Sequence, residues 1–256
     1  MQKLLLSVVL VAVVSLVGKA QTIDQATKVA WQKSVNGYVW VGSCYWAPIV
    51  MKCFDDRHVA QGGINLVLQK KGTSVSLKTW FSLSPEQNVT GKRWTGDAQE
   101  FDLGGEIAQI LAHGWTLKAG YSHFFITKSA GSDVEMILFA VSKEITLTEK
   151  NKLVGAFEFY QFFPTSAKGP AAGRFYLPSI TFIRNVGNWT ASASIVAAFN
   201  SAGVFGFTSE PAMRVTGQVL YRLPNGMKIG PDFVYGGAPG STERRMTGAM
   251  GVSLVF

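Results

Sequence analysis

Nine charged residues fall at alternate positions of extended, otherwise weakly charged segments: Lys78, Asp102, Glu106, Lys118, Glu158, Arg214, Arg222, Lys228 and Asp232. In a strand, side chains two residues apart share a face, so each of these groups can point the same way. Gathered in a low-dielectric shell, such groups must either pair or stay wet. Five basic and four acidic residues therefore suit ion pairing, hydration of a polar passage or recognition of a charged solute. Bond-breaking chemistry has much less to work with. The only three histidines are His58, His113 and His123. Their nearest partners, Asp55, Asp56 and Ser122, form no nucleophile–base spacing. His58 with Asp55 and Asp56 also completes no metal-ligand spacing. The sequence is read as a non-enzyme that needs no metal or cofactor.

The elements that would carry the nine charges are strands. From Asn36 onward the chain divides into segments near 36–46, 60–70, 73–82, 100–111, 115–126, 134–146, 152–163, 175–186, 189–199, 211–222, 227–236 and 246–256. Each is roughly ten residues long, enough for a tilted strand to cross a bilayer. The connections alternate: Lys71-Gly72, 112–114, 147–151, Gly187-Asn188 and 223–226 are short, whereas the others are longer, up to the stretch 83–99.

Side-chain alternation gives a second test. Trp115, Leu117, Ala119, Tyr121, His123 and Phe125 form one face, with Thr116, Lys118, Gly120, Ser122 and Phe124 on the other. Trp189 to Phe199 and Val215 to Tyr221 behave the same way, with Arg214, Thr216, Gln218 and Arg222 on the polar side. The segments 135–146 and 175–186 carry apolar residues on both faces, and Pro178 and Pro231 fall inside strands, where a proline removes a ladder hydrogen bond. A ten-strand barrel with an amino-terminal plug, and a soluble β-sandwich, are the competing arrangements. Small residues such as Ser74, Ser76, Gly104, Ser192, Ser194 and Gly230 on the polar face leave space there. Trp80, Phe124, Tyr160 and Phe162 on that face suit either a constriction or packing.

The chain ends carry the most specific pattern. Met250, Val252, Leu254 and Phe256 alternate with Gly251, Ser253 and Val255. This resembles the closing strand of bacterial outer-membrane β-barrels, whose terminal aromatic is read by the assembly machinery; Val252, Leu254 and Phe256 would be that signal. At the other end, Gln2 and Lys3 precede an apolar run from Leu4 to Val17 and the small residues Gly18 and Ala20. That is the order of a secretory signal, and the run is shorter than the ~20 residues of a spanning helix. The expected organisation is a cleaved signal peptide over 1–20, a periplasmic leader over 21–35 that is either a short helix or loosely ordered, and a barrel over 36–256. The expected fold class is all-β: a transmembrane antiparallel up-and-down barrel of about 12 strands. Cys44 and Cys53 enclose eight residues; in an exported chain they suit a disulfide, with two free thiols as the alternative.

The net charge of +8 comes without a basic cluster interleaved with aromatics, so nucleic acid is not the expected partner. Lipopolysaccharide phosphates or anionic solutes are. The resemblance implies a bacterial outer-membrane location, contact with membrane lipid and lipopolysaccharide, and a monomer. The expected function is passive diffusion of small hydrophilic solutes, with Lys118, Arg214, Arg222 and Lys228 favouring anionic ones. A surface or structural barrel that binds ligands through its loops is the alternative, with a barrel enzyme third.

Overall fold

In the computed structural model the described residues are 30–43, 45–47, 52–55, 59–83, 98–126, 133–165, 172–201, 211–238 and 247–256. Lys33–Phe256 forms one compact unit. Its strands are β1 (Gln32–Gly42), β2 (Tyr45–Ala47), β3 (Lys52–Asp55), β4 (Val59–Lys70), β5 (Thr73–Leu83), β6 (Ala98–Ile110), β7 (Trp115–Ile126), β8 (Val134–Thr148), β9 (Asn151–Pro164), β10 (Gly173–Val186), β11 (Trp189–Asn200), β12 (Ala212–Arg222), β13 (Lys228–Gly237) and β14 (Thr247–Val255). Twelve of them close a barrel in the order β1-β14-β13-β12-β11-β10-β9-β8-β7-β6-β5-β4, while β2 and β3 form a separate hairpin. The ring leaves no open edge, as a bilayer requires, because an unpaired backbone group in hydrocarbon costs several kcal/mol. The ten-strand alternative is excluded.

Eleven of the twelve expected strands match within a few residues. The first does not: it spans Gln32–Gly42 rather than 36–46, and Tyr45–Ala47 instead pairs with Lys52–Asp55. The long connection after β1 thus has strand pairing of its own, and β1 gains its length at the amino-terminal end. There Asn65 donates a side-chain hydrogen bond to Asn36, at 3.0 Å. Residues 1–29, and with them the signal and most of the leader, lie outside the described residues, as does Cys44; nothing is described of the Cys53 side chain.

The short connections are tight turns. Lys71 and Gly72 both take positive φ, 45° and 81°, the conformation of a two-residue hairpin turn whose twist matches the strands it joins. His113 (φ 60°) and Gly114 (φ 76°) do similar work between β6 and β7.

The prolines are accommodated inside strands. Pro178 pairs with Phe157 of β9, but the β10–β11 ladder has no partners opposite Leu177 and Pro178. Pro231 likewise pairs with Val252 of β14, while the β12–β13 ladder lapses between Gln218 and Tyr221. In each case the gap lies on one side only. The missing N–H breaks one ladder locally without ending the strand.

One face of the ring is an apolar belt open to the surroundings. Leu66, Leu77, Leu103, Leu117, Phe139, Phe157, Ile180, Ile195, Val219, Phe233 and Met250 are all exposed on it. Phe139 and Phe159 stack across strands at 6.5 Å, and Phe159 and Tyr176 meet at 5.4 Å. Toward the short-turn end the belt finishes in Trp189 against Tyr221 at 4.8 Å, and in Trp115 with Lys143 Nζ 5.1 Å from its ring. Aromatics and a basic residue at the rim of an apolar band suit the lipid–water interface.

Candidate functional site in the barrel interior

The face opposite the belt points inward, and the register puts all nine charged residues named above on it. Lys78 pairs with Gly104, Glu106 with Gly120, Lys118 with Ala108, and Arg214 with Val196. Three adjacent strands bring Lys78, Glu106 and Lys118 together. Lys78 Nζ lies 2.6 Å from Glu106 Oε2, and Lys118 Nζ lies 3.3 Å from Oε1. The lysine side chains keep 40% and 32% exposure, against 11% for the glutamate. The carboxylate is thus shared and covered, and two ammonium groups remain wet.

On another wall, Tyr160 donates its hydroxyl to Glu158 at 2.7 Å. It also lies within electrostatic reach of Arg214 and Glu106. The strands β6 and β12 stand six places apart in a ring of twelve, so Glu106 and Arg214 belong to opposite walls and Tyr160 lies between them electrostatically. Together Lys78, Glu106, Lys118, Glu158, Tyr160 and Arg214 form a charged girdle.

Asp232 has a different setting. Its carboxyl group accepts from the Trp40 indole N–H, the Ser253 hydroxyl and the Gln218 amide, the last at 3.4 Å. These donors come from β1, β14 and β12, with Asp232 itself on β13, so the network ties four adjacent strands across the junction of first and last. The Trp40 ring occupies the space that a side chain at Gly251 or Gly42 would fill. Trp40 was not among the residues the sequence singled out; its ring lies over Gly42 of its own strand and Gly251 of the neighbouring one.

At the short-turn end, Arg222 and Lys228 are direct cross-strand partners on the inner face. At the same end but on β9 and β8, Lys152 pairs with Glu144 at 2.7 Å, two residues that their hairpin brings close. Asp102 lies toward the opposite end of the barrel and faces Glu100, two residues along β6.

Above the girdle, one wall of the interior carries an apolar cluster. Val134, Met136, Phe162, Phe175, Leu177, Val196, Ala198 and Ala212 are buried in one cluster, with Phe124 and Tyr160 packed against it. Phe162 meets Phe175 edge-on at 5.7 Å and Phe124 at 6.0 Å. The signal for this layer was present in the segments 135–146 and 175–186, whose apolar residues occupy both faces. A strand is apolar on both faces when lipid covers one and side chains pack on the other.

The remaining candidates separate. His123 sits on the outer face, with Asp133 and Glu135 carboxylates 3.9 and 4.0 Å away and Phe125 at 4.2 Å. Ser122, its neighbour in the chain, points inward, so strand geometry keeps the two apart. His113 lies in a turn, and His58 and Asp56 lie outside the described residues. Among the described residues, no group of three His, Cys, Asp or Glu is placed to hold a metal ion. Val252 and Phe256 lie on the outer face of the last strand, and the Phe256 backbone exchanges hydrogen bonds with Gly37 at 2.9 and 3.0 Å.

No protein-family model matches the chain, and no curated protein matches it in sequence. Solved structures match its fold. The COG4313 outer membrane channel from Pseudomonas putida F1 superposes with a TM-score of 0.57 at 10% identity, covering 91% of this chain and 98% of that one. A bacterial polysaccharide outer membrane secretin gives 0.55 at 6% identity, covering 87% and 97%. The NanC porin gives 0.53 at 8% identity, covering 87% and 98%. At such identities the likeness is one of fold. The chain shares the fold of bacterial outer-membrane β-barrels.

Proposed function

We propose that this protein is a passive outer-membrane channel for small hydrophilic solutes with a preference for anions. The observation that carries the reading is the girdle. Lys78 and Lys118 share one covered carboxylate, so the interior offers more wet positive charge than negative at that level. A ring of fixed charge in a narrow passage concentrates counter-ions and selects by sign. Twelve strands leave an interior wider than the side-chain-filled eight-strand case and narrower than an open porin. In this reading the apolar layer limits flux and the girdle sets ion preference. Lys118, Arg214, Arg222 and Lys228 supply the basic side of that preference, and the barrel works without catalysis, metal or cofactor. Two of the fold neighbours are themselves a porin and a channel. The reading further takes the barrel as a monomer held in lipid and lipopolysaccharide, with Val252, Leu254 and Phe256 recognised by the assembly machinery.

The test is single-channel recording of the folded mature protein in a planar bilayer, with reversal potentials under a salt gradient. Discrete steps with anion preference are expected. Replacing Lys118, Arg214, Arg222 and Lys228 together by Gln should abolish that preference; unchanged selectivity would sink the claim, and a folded but silent barrel would sink the channel itself.

A further inference from the structure

The inner-face charges of this barrel are mostly compensated. Glu106 is shared by Lys78 and Lys118, Glu144 holds Lys152, Glu158 lies within electrostatic reach of Arg214, and three donors surround Asp232. Arg222 and Lys228 are different. They stand directly opposite each other on β12 and β13, at the end of the barrel closed by the short turns. Neither has a carboxylate within 4.0 Å among the described residues. Their inner-face neighbours are neutral: Val255 pairs with Lys228 on β14, and Thr190 with Leu220 on the β11 side. Like charges directly opposite in an antiparallel pair repel and are destabilising.

We infer that Arg222 and Lys228 form an anion-binding site at the periplasmic mouth for multivalent, phosphate-like groups, loaded from that side alone. The direct cross-strand pairing sets the two side chains side by side on the inner face, and an anion carrying more than one negative charge turns their repulsion into charge-assisted hydrogen bonds to both. The sidedness follows from the rest of the interior. Toward the other end, Phe162, Phe175 and Leu177 line one wall of the interior. Among the described residues, a hydrated polyanion approaching from there meets that apolar wall and then the Lys78–Glu106–Lys118 girdle before it reaches the pair. Both side chains point inward, so the site is offered to a solute and not to a lipid headgroup. The sidedness rests on the channel reading; binding at the pair does not.

Inorganic tripolyphosphate is the ligand to use, with the full mature barrel folded in a detergent that lacks phosphate. Titration calorimetry at low salt should show binding that weakens by about tenfold or more in the Arg222→Gln, Lys228→Gln double variant. It should persist in Lys78→Gln and fade with added salt. In bilayers containing barrels of one orientation, tripolyphosphate should block current from the short-turn side and not from the other. No binding, or equal binding in the double variant, overturns the site. Equal block from both sides overturns the sidedness. Binding lost with the pair in a barrel that passes no current leaves the site standing and removes the channel reading.

Discussion

Trp40, on the first strand of the barrel, donates its indole N–H to Asp232 on the next-to-last, reaching across the closing strand that lies between them. The contact spans the seam where the two ends of the sheet meet. That junction has no covalent turn to hold it, whereas most other neighbouring strands are joined by a hairpin. A hydrogen bond to a carboxylate is worth roughly 1.5–3 kcal/mol when both partners are covered.

The seam should therefore be thermodynamically coupled. Trp40→Phe and Asp232→Ala should each lower the urea midpoint of the folded barrel. In a double-mutant cycle their effects should fall short of additivity by about 1 kcal/mol or more. Gly251→Ala should reproduce the Trp40 effect, because the new methyl group takes the space of the indole. Additive losses would mean the two residues do not act on each other.

Glu106 is the acid that both girdle lysines share. Glu106→Gln should leave two uncompensated ammonium groups and move the reversal potential further toward that of the anion, while the Lys78→Gln, Lys118→Gln double variant should move it the other way. Identical potentials in all three proteins would remove the girdle from ion selection.

Phe175 is fully buried in the apolar layer of the interior. Phe175→Ser should cost about 3–5 kcal/mol by analogy with large-to-small substitutions and admit water to the layer. Unfolding in urea should shift accordingly, and unit conductance should rise. A destabilised barrel of unchanged conductance would show that the layer does not limit flux.

Trp189 and Tyr221 form one corner of the interfacial rim. Trp189→Ala should weaken stability measured in lipid by about 1 kcal/mol or more, through lost ring contact and lost anchoring at the headgroup level. The same substitution should matter less in detergent micelles. An equal loss in both would assign Trp189 to ordinary packing.

The number of barrel strands, the limits of all but the first of them, and the inward placement of the nine charged residues were legible in the residues themselves. A bilayer imposes a rule that is local along the chain: one face apolar, the other free to be polar, with a turn about every ten residues. Lys118 and His123 could be placed on opposite faces by counting. Who meets whom across the interior could not be read in this way, because it depends on closure, and closure is a property of all twelve strands at once. Counting placed Asp232 among the inner-face charges; only the ring revealed that Trp40, 192 positions away in the chain, donates to it. Counting placed Arg222 and Lys228 beside Lys118 and Arg214 as equals; the tertiary structure separated a girdle whose charges have partners from a pair at the mouth that has none among the described residues. Alternation fixes direction, which a strand determines alone, whereas compensation of charge is set by neighbours that the fold brings from elsewhere.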